Sequence, residues 1–409
     1  IVFGDWSSDV CSSDLFGLPL THQKDAVQAY HFYRLLQKAS RIWLLYNTKT
    51  DILGGGEQSR FLRQIKQELP NANPGIRIRE EVVSVPIPDA GLPPPITVEK
   101  DQAAINLLRE KARKGYAPSA LNIYRSCPLK FWYSEIARIR EPEEMTDTID
   151  PAILGQTVHL TLETLYRPLK GKILTSGLLD QIIPRVEQTV LSSFEHKIKG
   201  IGAMTGRNLL LANVAKWLVS AMIRYDKQLC EEQSAEKIKR TILYLEEPVD
   251  TFLRVTLADE QLDLRVKGII DRVESENGCR KIIDYKTGTA AAGSLKVSEW
   301  EQLAGEHKLD MAFQLLTYSF LLTCKYPEII TLKAGVIPLK SISKGMINLE
   351  VPATNGNKNP ENLPSGWIEG FRPVLQGLVD EINDVTIPFV QTNNPKNCRN
   401  CPYLSICGR

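Results

Sequence analysis

An Asn-Gly dipeptide between two β-prone runs constrains this chain more than any other feature. Residues 268–288 read GIIDRVESENGCRKIIDYKTG. Asn277-Gly278 in that setting predicts a two-residue type I′ turn, whose central residues both need positive φ. Counting outward from the turn sets the strand register, which puts Asp271 directly opposite Asp284 on one face. Like charges so opposed destabilise a strand pair, so the pattern points to a cation held between them. Lys286, two residues past Asp284, shares the face by strand periodicity. Two carboxylates and a lysine on one sheet face suit metal-assisted attack on phosphate.

Mg²⁺ (or Mn²⁺) takes oxygen ligands, commonly one or two carboxylates with substrate phosphate and water. Asp271, Asp284 and the backbone carbonyl of Tyr285 are the candidate ligands. Bound metal polarises a phosphodiester and acidifies a water, while Lys286 can orient that water or neutralise developing charge. A lone Asp-x-Lys is more often a solvated surface hairpin; the register match with a second Asp weighs against that reading. His159 and Glu163 lie four apart on a helix expected over 154–165, so they share a face. The inward stripe of that helix is Leu154, Val158, Leu162 and Leu165, with His159 at its edge. A lone helical histidine is more often a core residue, but beside the hairpin it becomes a nitrogen ligand.

The chain has 409 residues and a formal net charge of +2, so nucleic-acid binding must come from local patches. Its length suggests two or three domains. No apolar run of about 18 residues occurs, so no membrane span is expected. Residues 1–15 contain the Ser/Asp-rich string DWSSDVCSSDL, which resembles a translated sequencing adapter; it is set aside as non-native together with Cys11. Residues 16–85 alternate helix and strand patterns. Helices are expected over 24–40 and through Phe61, Ile65 and Leu69, and a buried strand over 41–47. Gly54-Gly55-Gly56 lacks a following Gly-Lys-Ser/Thr, so the chain should not hydrolyse ATP alone. A proline-dense stretch over 86–100 is expected as a linker, leaving 101–409 as one domain. There, helices are expected over 101–114, from a Ser119 cap onward, over 151–165, across 176–230, over 309–324 and over 368–382. Strands are expected within 239–287 and over 332–338. No internal repeat is evident.

The tail carries Cys398, Cys401 and Cys407, with Cys127 far upstream. Three close cysteines and one remote partner can complete a four-thiolate site, and the spacing permits zinc or a [4Fe–4S] cluster. Disulfides do not suit a cytosolic enzyme. Cys230, Cys279 and Cys324 show no partner spacing.

The segments 155–159 (GQTVH), 268–272 (GIIDR), 284–288 (DYKTG) and 314–318 (QLLTY) resemble, in the same order, the motifs of the RecB-family branch of the PD-(D/E)xK nucleases. The resemblance covers roughly residues 100–409. It implies an α/β restriction-endonuclease-like core, a mixed central sheet flanked by helices. It implies an active site of His159, Asp271, Asp284 and Lys286, with Gln314 and Tyr318 contacting the DNA strand. The cysteine arrangement resembles that of AddB-type nucleases, which implies a [4Fe–4S] cluster on Cys127, Cys398, Cys401 and Cys407 stapling the tail.

Residues 16–85 resemble the end of the helicase-like region that precedes the nuclease in AddB-type subunits. The implied function is a DNase cutting single strands in a helicase–nuclease complex for double-strand-break repair, in the cytoplasm, with an AddA-type partner. The alternatives are a stand-alone CRISPR-associated iron–sulfur exonuclease, whose chains are much shorter, and a non-catalytic DNA-binding module. The intact Asp, Asp and Lys argue against the latter.

Overall fold

A computed structural model describes residues 21–46, 58–82, 95–140, 151–197, 206–235, 237–352 and 362–408. The chain divides into two units, Ile1–Gly91 and Leu92–Arg409. The first contains helices α1 (Thr21–Leu36), α2 (Arg60–Gln67) and α3 (Leu69–Ala72). Ser59 caps α2 by accepting the Leu62 N–H. Residues 41–46, expected as a buried strand, form none, and Trp43 and Leu45 are 77% and 94% exposed. The physical reason is the lack of a neighbour: among the described residues of this unit no strand lies alongside to pair with the run. The adapter-like segment and the triple glycine fall outside the described residues, as does most of the proline-dense stretch.

The second unit starts earlier than expected. Thr97–Val98 (β1), assigned above to a linker, pairs antiparallel with Phe389–Val390. Lys100 is buried beside it, donating to the carbonyls of Glu381 and Asp384 at 3.1 and 2.7 Å. Helix α4 (Gln102–Lys114) is capped by Asp101. Helix α5 (Pro118–Ser126) starts one residue before the expected Ser119 cap; Ala117 is the N-cap. Pro118 takes the first helical position, where its fixed φ fits and its missing N–H has no intrahelical partner to lose. Helices α6 (Pro128–Phe131), α7 (Pro151–Tyr166), α8 (Ser176–Ile182), α9 (Val186–Lys197) and α10 (Gly206–Ala235) follow.

Strands β2 (Arg240–Leu257), β3 (Glu260–Glu276) and β4 (Cys279–Lys286) form a meander. After α11 (Gln302–Gly305) and α12 (Asp310–Lys325), β5 (Leu332–Pro338) returns parallel to β4, and β6 (Ile347–Asn348) completes a sheet ordered β2-β3-β4-β5-β6. A parallel return needs a crossover, which α12 supplies. Helix α13 (Trp367–Asn383), β7 (Phe389–Val390) and α14 (Leu404–Cys407) end the chain.

Each sheet face buries its own core. One joins Val266, Val273 and Ile282 to Leu121, Phe313 and Phe371; the other joins Ile283 and Tyr285 to Val158, Leu162, Phe194 and Val219. This is the expected α/β layering, a mixed sheet between helices. The inward stripe of α7 is as expected: Leu154, Val158, Leu162 and Leu165 are all buried. The turn is also as expected. Asn277 and Gly278 have φ of 48° and 89°, and the pairs Glu276↔Cys279 through Arg272↔Ile283 keep the counted register.

Candidate active site

The β3–β4 ladder stops at Arg272↔Ile283, one row before Asp271 and Asp284. From there β3 stays paired with β2, and β4 runs on beside β5, so the two strands fork. Asp271 closes the fork: its Oδ2 accepts the Tyr285 N–H at 2.7 Å, replacing the backbone partner that the splayed strand takes away.

Helix α7 brings His159 over the fork. Its Nδ1 lies 3.3 Å from Asp271 Oδ1 and 3.7 Å from Glu246 Oε1, and its Nε2 is 3.1 Å from the Tyr285 carbonyl oxygen. Glu246 sits on β2 in the row of Asp271, between the pairs Leu245↔Arg272 and Glu247↔Ile270. Its φ is 46°, the left-handed region that non-glycine residues rarely occupy; such strain concentrates at functional sites. One ligand atom each from His159, Glu246 and Asp271 lie within 4.8 Å of one another. Burial alone would lower the His159 pKa. Hydrogen bonds to Asp271 and Glu246, and the field of Asp271 and Asp284, raise it to about 10. These carboxylates stabilise positive charge where a cation would sit.

Asp284 is buried, and burial followed by the Asp271 charge raises its pKa to about 6, against the opposing pull of Lys286 and His159. The Lys286 ammonium lies 2.9 Å from Asp284 Oδ2 and pairs with that buried oxygen. Lys286 Nζ donates to Gln314 Oε1 at 3.1 Å, and Gln314 Nε2 donates to the Tyr318 hydroxyl at 2.9 Å. The pair expected on one face of α12 therefore continues the line of polar groups from Lys286. Tyr318 requires Gly268: a Cβ there would stand 2.6 Å from Tyr318 Cε1.

The structure brings together His159, Asp271, Asp284, Tyr285 and Lys286, all expected from sequence, and adds Glu246 to them. Among the described residues, the compact group of possible ligands is His159, Glu246 and Asp271, and Asp284 lies outside it. Glu163 pairs instead with Arg167, in the turn that follows its helix. No sequence signal marked Glu246. The β2–β3 turn is Ala258-Asp259, which lacks the Asn-Gly signature that fixed the β3–β4 register; the register shift between Ile242 and Tyr244 lies beyond Glu246 and leaves its row unchanged.

Cys127, Cys398, Cys401 and Cys407 line one small pocket, with Lys130, Gln391 and Asn397. Cys127 caps α6, its sulfur accepting the Lys130 N–H at 3.4 Å. Burial, then the nearby Cys401, Cys127 and Cys398, push the Cys407 thiol pKa up. Asn397 Nδ2 donates to the Ser126 carbonyl at 2.9 Å, and Gln391 Nε2 to the Cys407 carbonyl at 3.3 Å. The Tyr133 and Tyr403 rings pack 5.2 Å apart beside it, tilted by 51°.

A mixed sheet whose strand fork gathers carboxylates, a histidine and a lysine defines a nuclease-type core. The family model of the PD-(D/E)XK nuclease superfamily matches residues 116–408, and the chain belongs to that superfamily. Its members are typically metal-dependent nucleases. Among solved structures, the crystal structure of SSO0001 is similar at 13% identity and a TM-score of 0.23, covering 75% of this chain and 97% of that one. No curated protein matches. Among the described residues no helix is long and apolar enough to cross a membrane.

Proposed function

We propose that this chain is a Mg²⁺- or Mn²⁺-dependent DNase of the RecB-family type that cuts single strands in the cytoplasm. It acts as the nuclease part of an AddB-type subunit beside an AddA-type helicase–nuclease partner in double-strand-break repair. The observation that carries the nuclease reading is the convergence of His159, Glu246 and Asp271 within 4.8 Å, beside buried Asp284 and Lys286. The donor set fits a hard divalent cation: two carboxylates and an imidazole, with the buried Asp284 carboxylate next to them. When bound there, such an ion would polarise the phosphodiester and acidify a water.

The protein's own groups do the rest. Asp271 locks the Tyr285 backbone through its N–H, so the turn of the strand that aims Asp284 and Lys286 is fixed. Lys286 sets a positive charge where a scissile phosphate gains negative charge. Gln314 holds the ammonium in place and, with Tyr318, offers amide and hydroxyl groups to a DNA strand.

For the tail we take a [4Fe–4S] cluster: Cys127, Cys398, Cys401 and Cys407 line one pocket, as a four-thiolate site requires, and zinc is the alternative that the same ligands allow. The decisive experiment incubates labelled single-stranded DNA with the protein and Mg²⁺ or Mn²⁺. Cutting should stop in EDTA, return with either ion, and be lost in Asp284→Ala. Cutting that persists in EDTA would refute the metal mechanism.

A further inference from the structure

Behind the sheet, opposite the cleft, lies a cluster of buried charge that the proposed chemistry does not use. Strand alternation turns Arg272 away from Asp271, and Tyr285 away from Asp284 and Lys286. Both side chains enter the core under α7 and α10. Arg272 and Glu274 are fully buried there, with Asp226 and Arg240 almost so. Asp226 of α10 is the hub. Its Oδ2 accepts the Tyr166 hydroxyl at 2.6 Å and Arg272 Nη1 at 2.7 Å, and its Oδ1 accepts Arg240 Nη2 at 2.8 Å. Arg272 Nη1 also reaches the Tyr285 hydroxyl at 3.1 Å, and its Nη2 pairs with Glu274. Burial alone would raise the Asp226 pKa; Arg272 and Arg240 hold it below the ordinary value, so the hub stays charged.

Two arginines and two carboxylates are a poor way to stabilise a core, because apolar residues of similar volume often pack at least as stably. A directional network does what apolar packing cannot: it fixes elements in one relative placement. The elements joined here carry the site. Tyr166 belongs to α7, which holds His159; Arg272 follows Asp271 on β3; Tyr285 lies between Asp284 and Lys286 on β4. The Tyr285 backbone itself contacts both Asp271 and His159.

We propose that Asp226 is a positioning residue for the candidate metal site, holding α7, β3 and β4 so that His159, Glu246 and Asp271 stay within reach of one ion. The inference rests on the metal-site reading above. Tyr166→Phe and Tyr285→Phe test it, since each removes one hydroxyl while keeping the ring and the ion pairs; Asp226→Asn tests the hub directly. Mn²⁺ alone is titrated into each chelator-stripped full chain by calorimetry, with melting followed in parallel. Each Phe variant should stay folded and bind Mn²⁺ about 10-fold more weakly, the low end of what outer partners of metal ligands contribute. Unchanged Mn²⁺ affinity in the folded Phe variants, with only a lower melting temperature, would reduce the network to a structural role and overturn the proposal. The Phe variants decide the matter even where Asp226→Asn does not fold. A wild-type chain that takes up no Mn²⁺ would instead remove the metal-site reading itself, and this inference with it.

Discussion

Asp271 accepts the backbone N–H of Tyr285 through one carboxylate oxygen, while its other oxygen faces His159 at 3.3 Å. One side chain thus repairs the strand fork and presents charge to the cleft. The two jobs separate in Asp271→Asn, whose amide oxygen can still accept the Tyr285 N–H. The variant should fold with nearly wild-type circular dichroism and lose about 100-fold or more in cutting rate, the scale of one removed electrostatic group. Wild-type cutting by the folded variant would contradict the role given to the charge.

Lys286 stands between Asp284 and Gln314. Lys286→Met keeps the stem and removes the ammonium. The turnover rate should fall by about 100-fold, with single-stranded DNA affinity changed little. Equal losses in binding and turnover would make Lys286 a DNA anchor.

Gly268 has no room for a side chain because Tyr318 occupies the space. Gly268→Ala should displace Tyr318, loosen the Gln314–Lys286 contact and cost about 1–3 kcal/mol, as overpacking does. Thermal melting checks the stability loss, and a cutting assay checks the coupling to Lys286. A variant as stable and active as wild type would show that α12 shifts freely.

The tail should respond to its cysteines. Protein purified without oxygen is expected to absorb near ~400 nm, as iron–sulfur clusters do. Cys401→Ala should abolish that band and open residues 392–408 to limited proteolysis. A colourless, zinc-loaded preparation would replace the cluster with a zinc site.

Lys100 gives a pH signature. Burial, only partly countered by Asp384 and Glu381, lowers its pKa to about 8 from the usual 10.5. The folded state then holds fewer protons than the unfolded state between those values. Stability should therefore rise with pH from about 8 toward 10.5, and be lost as pH falls back through 8. Compared with Lys100→Met, the wild type should gain melting temperature across that window. Parallel pH profiles for the two proteins would count against a buried ammonium.

Residues close in sequence were readable from their own chemistry, and residues joined across the fold only through the resemblance of their motifs. Asn277-Gly278 alone located the hairpin and its register, because its two positive φ values are a local demand. The helical spacing of Leu154, Val158, Leu162 and Leu165 located α7 and put His159 at its edge. The misses have local causes too. Residues 41–46 have strand composition but no neighbouring strand among the described residues, and Pro118 displaced the expected Ser119 cap by starting the helix itself.

By itself, then, the sequence determined which strands pair around Asn277-Gly278, which faces are apolar, and that Asp271, Asp284 and Lys286 share one neighbourhood. Periodicity and turn chemistry are properties of a few consecutive residues. Only the tertiary structure decided that β3 parts from β4 at Asp271, that Glu246 joins His159 and Asp271, and that Asp226 ties their elements from behind. Those outcomes depend on a turn without a glycine signature and on contacts between residues far apart in the chain, such as Asp226 with Arg272, 46 positions on, and with Tyr166, 60 positions back. They are fixed by packing, which no short stretch of sequence encodes.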